Sequence, residues 1–335
     1  MVVSMLDTHP NARALPTGVD TAGLVGGLAI MIAGVIGYVV FPDNLALLTR
    51  IIAIGLLVLS LDLVTGYSGV ATLGHSALFG AGAYAAGIAA AHLGISAPLA
   101  MTLIGAAAGA IAGLLSGLVI LRAHGLAQLV LSIAVVHLFH EAANKASAWT
   151  GGSDGLSGIM PEAVLGIFEF DLWGTTAYLY GLALLIVVFA VLRFLVRSPF
   201  GMLARGVKED PVRVSAMGAS VNAVQLRMYV ISGAVAGIGG ALSAISTQVV
   251  GLDSFSFTLS AEALVMLVLG GTGSLFGGLV GTVVFMLIEE TVSALDPFHW
   301  LTIIGVLLIA VVLLAPKGLY GSAVLAATRL MRARR

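Results

Sequence analysis

Long apolar runs separated by short polar breaks set the pattern of this chain. Thr21 to Phe41, Ala97 to Leu121 and Thr175 to Leu192 contain no Asp, Glu, Lys or Arg. A helix rises about 1.5 Å per residue and the hydrocarbon layer of a bilayer is about 30 Å thick, so roughly 20 apolar residues make one crossing. Each of these runs therefore predicts a membrane span. Leu45 to Thr65 predicts another, with Arg50 and Asp62 near its ends. Val70 to His92, Gly125 to Ala143, Val224 to Val249, Leu259 to Leu269, Leu275 to Ile288 and Leu301 to Ala315 complete the series. The expected fold is all-α: a polytopic transmembrane bundle of about ten segments, some short or broken, because helices satisfy their own backbone groups in lipid.

One strongly polar stretch interrupts the pattern. Ser198 to Gly218 gathers Arg205, Lys208, Glu209, Asp210 and Arg213 in one short helix and its approach. Such a concentration of charge marks a docking loop. Orientation follows from the basic residues, which accumulate in short cytoplasmic connections. Arg193, Arg197, Arg205, Lys208, Arg213 and Arg227 bracket the loop at residues 197–223, and Arg329, Arg332, Arg334 and Arg335 crowd the C-terminus. Both are expected inside. Residues 146–173 carry Asp154, Glu162, Glu169 and Asp171 without Lys or Arg and are expected outside. The resulting organisation is a cytoplasmic tail at residues 1–20, a membrane domain at residues 21–320 and a basic cytoplasmic tail at residues 321–335.

Composition supports this and removes alternatives. Of 335 residues, 59% are hydrophobic and only 9% charged, and the mean hydropathy is +1.11. There is too little polar side chain to cover a soluble globule. A net charge of −1 carries no footprint of a nucleic-acid partner. The absence of cysteine excludes disulfides, thiolate metal sites and a Cys nucleophile, and the first twenty residues lack a signal-peptide pattern. Phosphate-loop, H-E-x-x-H, G-x-S-x-G and EF-hand spacings are missing, so no catalytic residue, bound cofactor or metal is expected on this chain. His137 and His140, followed by Glu141, have no third ligand at suitable spacing. Asp62, Glu262, Glu289 and Glu290 are acids near membrane depth, where ionisable groups imply a cavity, a partner or an interface position. Glu289 and Glu290 read as interfacial, since Asp296 and Pro297 soon follow.

Glycine is patterned too. Gly105, Gly109, Gly113 and Gly117 recur every fourth residue, and Gly233, Gly237 and Ala241 repeat the device, giving small-residue stripes along which helix backbones approach closely. Gly66 to Tyr84 and Leu269 to Gly278 mix Gly, Ser and Thr into apolar runs and predict broken helices, tolerated at membrane depth only where protein or a polar cavity receives them. Ser76-Ala-Leu-Phe-Gly80 is echoed by Ser274-Leu-Phe-Gly277, one in each half, which hints at an internal repeat. His75, inside the first break, reads either as a packed or capping residue or as a solute contact.

Four separated blocks carry a family resemblance: Leu61 to Tyr84, Trp149 to Gly155, Ser198 to Gly218, and Ser260 through Glu262 to Gly277. In this order they resemble the inner-membrane permeases of Liv-type branched-chain amino acid ABC importers, most closely the M-like subunit. The resemblance implies a multi-pass protein of the bacterial inner membrane. Its partners would be a second, H-like permease subunit, a solute-binding protein and cytoplasmic ABC ATPase subunits that use the ATP. Arg205, Lys208, Glu209, Asp210, Arg213, Ala216, Met217 and Gly218 would form the ATPase-coupling loop, with the charges displayed to water and Val214 and Met217 as an apolar face. The solute path would run by His75, Ser76, Phe79, Gly80, Gly82, Gly271, Gly273 and Ser274. The outer loop at Thr150, Gly151, Gly152, Asp154 and Gly155 would meet the binding protein. Asp62 departs from the Asn common in these permeases, and the stretch His137 to Glu141 lacks the basic residue often found just after it. Relatives carry leucine, isoleucine and valine, and others urea or short amides. The competing reading is an ion-coupled secondary transporter with Asp62 or Glu262 as its proton or sodium site.

Overall fold

In a computed structural model, the structure describes residues 21–295 except 165 and 172, with residues 302, 305, 306, 309 and 318–322 beyond them, and side chains from residue 30 onward. The apolar runs become helices α1 (Thr21–Val40), α2 (Leu45–Leu61), α3 (His75–Leu93), α4 (Pro98–Ile120), α5 (Leu126–Lys145), α7 (Thr175–Arg197), α10 (Val221–Thr247), α11 (Phe257–Gly270) and α12 (Leu275–Leu295). Between them lie three short helices, α6 (Ser147–Thr150), α8 (Pro199–Glu209) and α9 (Pro211–Ala216). Among the described residues, seven helical stretches are long and apolar enough to cross a membrane, and Ile30–Val40 and Phe257–Gly270 are shorter apolar helices. The chain is a polytopic helical bundle. Of the ten segments expected, Leu301 to Ala315 lies almost wholly outside the described residues, as do residues 1–20 and the basic C-terminus.

The third expected segment is corrected at its start. α3 begins at His75, not at Val70, because residues 68–74 are not helical. Instead α2 runs on as a π-helical segment, Asp62–Tyr67, and the chain then turns at Gly69, whose φ of +76° favours glycine. The polar loop is also corrected, from one short helix to two. Pro211 has no N–H and disfavours a helical residue before it, so α8 stops and Asp210 takes an extended ψ of 89°. Asp210 then caps α9, its Oδ1 accepting the Arg213 N–H at 3.0 Å. Ser198 caps α8 in the same way, accepting from Gly201 N–H at 3.3 Å.

α10 is the axis of the bundle, packed on α4, α3 and α2. The two glycine stripes meet each other there. A Cβ on Gly109 would strike the carbonyl oxygen of Gly233, and one on Gly237 would strike that of Gly105. The opposite side of α4 exposes Leu103, Ile111, Leu115 and Leu118, as a lipid-facing helix should. α7 packs on α2, and α1 on α7, where Tyr178 Oη donates to Gly34 O at 2.8 Å. On the face opposite α8 and α9, Leu156 and Val250 exchange backbone hydrogen bonds of 2.8 and 2.9 Å, and Glu162 N–H donates to Ser96 O at 2.9 Å. These bonds tie the acidic loop to the tops of the membrane helices.

Candidate functional site

The two broken stretches, some 200 residues apart in sequence, touch each other. At the first, Asp62 is fully buried. Its Oδ1 accepts the Gly273 N–H at 2.7 Å, while Oδ2 has no hydrogen-bond partner among the described residues. Gly66 leaves room for this contact: a Cβ there would collide with Asp62 Oδ1 and lie 2.6 Å from Gly273 N. At the second break, Gly271 N–H closes α11 on Leu267 O at 2.9 Å. Gly271 and Gly273 take φ values of +109° and +79°, and Ser274 Oγ accepts Gly277 N–H at 3.3 Å, capping α12. A Cβ on Gly270 would strike the Gly277 carbonyl, so α11 and α12 fold tightly on each other.

Helix α8 lies against the first break. Lys208 Nζ donates to Gly66 O at 2.6 Å, supplying positive charge where the carbonyls of α2 run out. The Lys208 stem crosses Gly69, where a Cβ would come within 2.9 Å of its Cγ. The Arg205 guanidinium sits 4.8 Å from the Tyr67 ring centroid, a cation–π contact. Lys208 and Arg205 thus turn part of their length inward. The motif Gly66-Tyr67-Ser68-Gly69 gains a physical reading: a close approach, a cationic platform, a hydroxyl bonded to Val64 O at 2.9 Å and a left-handed turn.

A second polar network joins α3 to its neighbours. Ser232 Oγ donates to Ser60 O at 2.7 Å, so at its 2.7 Å contact with His75 it accepts, and His75 carries its proton on Nε2. Nδ1 is buried without a partner among the described residues, and the ring edge meets Tyr229 at 5.6 Å. Ser76 N–H donates to Ser260 Oγ at 2.9 Å, and Ser260 Oγ donates to Ser76 Oγ at 2.7 Å. The starts of α3 and α11 are thereby laced together. Phe79, Gly80 and Gly82 are buried in helix contacts, Gly80 against Phe255 and Gly82 against Gly237. The structure brings His75 and Ser76 to Ser232 and Ser260, and Gly271, Gly273 and Ser274 to the Asp62 end. Sequence reasoning missed Ser60, Tyr67 and Ser232 as members of these networks; an isolated Ser inside an apolar helix was the available signal.

On the polar loop, Glu209, Arg213, Ala216, Met217 and Gly218 are exposed and Asp210 is half-buried. Arg213 Nε and Asp210 Oδ2 are 3.5 Å apart. The expected apolar face is corrected: Val214 is 3% exposed and points into the bundle, whereas Val212 and Met217 are 77% and 70% exposed. On the opposite face, Thr150 Oγ1 donates to Ala143 O at 2.6 Å and accepts from Gly152 N–H at 3.2 Å. Gly151, Gly152 and Gly155 all have positive φ, while Asp154 and Trp149 are exposed. Glu262 and Glu289 are half-buried and both within electrostatic reach of exposed Arg50. Among the described residues, no group of three His, Cys, Asp or Glu side chains is placed to hold a metal ion.

The family model described as branched-chain amino acid transport system / permease component matches residues 44–313. The chain is 28% identical over 297 residues to the high-affinity branched-chain amino acid transport system permease protein LivM of Escherichia coli (strain K12), covering 82% of this chain and 69% of that protein. It is 27% identical over 282 residues to the LivM protein of Salmonella typhimurium (strain LT2), covering 78% of this chain and 66% of that one. No solved structure gives a significant match.

Proposed function

Because the chain belongs to the family of branched-chain amino acid transport permease components, we propose that it is one permease subunit of an ATP-driven importer of the bacterial inner membrane. With a second permease subunit it forms the path for a branched-chain amino acid delivered by a solute-binding protein. Cytoplasmic ATPase subunits hold and hydrolyse the ATP. The observation that carries this reading is the posture of α8 and α9. Their inner side is fastened to the membrane helices through Lys208, Arg205 and Val214, while Val212, Met217, Glu209 and Arg213 remain exposed. A rigidly held helix pair with an exposed apolar centre and charged rim suits a protein partner, and movement of that partner is passed on to the helices it holds. The charge distribution supports a reading with this loop inside and residues 146–173 outside, with Trp149 and Asp154 on the side that faces the binding protein. His75, Ser76 and the Gly271–Ser274 turn stay the candidate lining of the path, reached when α3 and α11 part.

The test is purification of the tagged chain from native membranes in mild detergent, with its companions identified by mass spectrometry. A phosphate-loop ATPase and a second permease are expected in stoichiometric amounts. The pair V212D/M217D is expected to retain the second permease and lose the ATPase. Recovery of the wild-type chain alone, from membranes shown to preserve other complexes, overturns the proposal in favour of an ion-coupled transporter using Asp62 or Glu262.

A further inference from the structure

Asp62 serves neither the exposed surface of the polar loop nor the His75 network, yet among the described residues it is the most deeply buried acid and one of its oxygens has no partner. An ionisable side chain is costly at that depth and persists there only for a reason. Its carboxyl hydrogen bond crosses from the π-helical end of α2 to Gly273, in the turn from α11 to α12. On the other side of Gly66, the same short segment offers its carbonyl to Lys208 at 2.6 Å. Gly66 is thus clamped between two contacts, its carbonyl toward α8 and its Cα toward Gly273. The groups that face Asp62 are the Gly273 N–H and, at longer range, the Lys208 and Arg205 cations of α8. Among the described residues these are the charged side chains that bear on it.

We propose that Asp62 is a positioning residue that latches the two broken membrane segments together, and that Lys208 of α8 holds the latch shut. The chain Lys208, Gly66, Asp62, Gly273 is then the route by which movement of α8 reaches α12. When α8 is drawn away, Lys208 leaves the Gly66 carbonyl, and Gly66, packed against both Asp62 and Gly273, is released to shift. The Gly273 hydrogen bond then weakens, and the α11–α12 turn separates from α2. The inference rests on the reading of α8 and α9 as the partner-binding loop only for what moves α8; the latch itself is a property of this chain.

The absence of cysteine allows a direct test. Leu275, the first residue of α12, is buried beside the latch, so a cysteine there reports opening. L275C is introduced into the full chain, and inverted membrane vesicles are treated with a membrane-impermeant maleimide. D62L, G66A and K208M, each in the L275C background, are expected to raise the labelling rate about tenfold, the population shift that follows when one hydrogen bond of the latch is lost or, in G66A, is pushed apart by the added methyl group. D62N is expected to label at the parental rate, because its amide oxygen still accepts from Gly273 N–H. K208M acts from the surface loop and keeps the test informative where a core variant fails to insert. Unchanged labelling in D62L and K208M overturns the proposal, and so does D62N labelling as fast as D62L. Labelling needs no partner, so its outcome is independent of whether an ATPase co-purifies. Where one does, D62L is expected to keep it bound while losing uptake at equal membrane abundance, and full uptake again overturns the latch.

Discussion

Ser232 shows how much one hydroxyl can decide inside a bundle. It accepts from His75 Nε2–H and donates to Ser60 O, joining α10 to α3 and α2. Interhelical hydrogen bonds in membrane proteins average only about 0.6 kcal/mol, but removing one partner also strands the other in a dry interior, at about 1–3 kcal/mol. The stranding term is the larger. S232A is therefore expected to lower the unfolding free energy by about 1–3 kcal/mol, measured by thermal unfolding in detergent. H75L/S232A, which removes both polar groups, is expected to recover part of that loss. A double variant as unstable as the sum of the single ones would show that the two side chains are not coupled. The sequence marks His75, by its place among Gly and Ser, as special. It does not show which partner His75 takes, because Ser232 is 157 positions away and a buried Ser in a helix otherwise reads as filler.

At the level of elements, the apolar runs and glycine stripes are legible because composition and the bilayer leave one solution for each: a helix, and a close contact between helices. The stripe of α4 meets that of α10 at backbone distance, so a large side chain has nowhere to go. G109L is expected to abolish folded, monodisperse protein, judged by size-exclusion chromatography of a fluorescent fusion. I111A, on the exposed side of the same helix, is expected to leave yield unchanged. Equal yields for both would show that the contact tolerates separation. What hydropathy hides is where helices depart from ideal geometry. The π-helical end of α2, the late start of α3 and the division of the polar loop at Pro211 depend on single Gly and Pro residues acting within otherwise uniform stretches. Lys208 is the plainest case: its charge suggests display to water, while its hydrogen bond to Gly66 is set by a tertiary contact across 142 positions.

Across the whole molecule, the two faces of the bundle carry different chemistry. α8 and α9 present Arg205, Lys208 and Arg213 on one, and residues 146–173 present Asp154, Glu162 and Asp171 on the other. Single cysteines at exposed Ser153 and Val212 test the assigned sidedness: in intact spheroplasts an impermeant maleimide is expected to label S153C, and V212C only after permeabilisation. The reverse pattern would invert the topology. The segment between α10 and α11 packs back against α3. Phe255 stacks on Tyr84 at 5.3 Å, well below the end of α3, and exposed Asp253 sits beside it. α11 follows, and its 14 residues span only about 21 Å, short of the roughly 30 Å that one crossing needs. The irregular residues at its two ends therefore need protein, not lipid, to receive their backbone groups, so the position of α11 is set by its neighbours rather than by the bilayer.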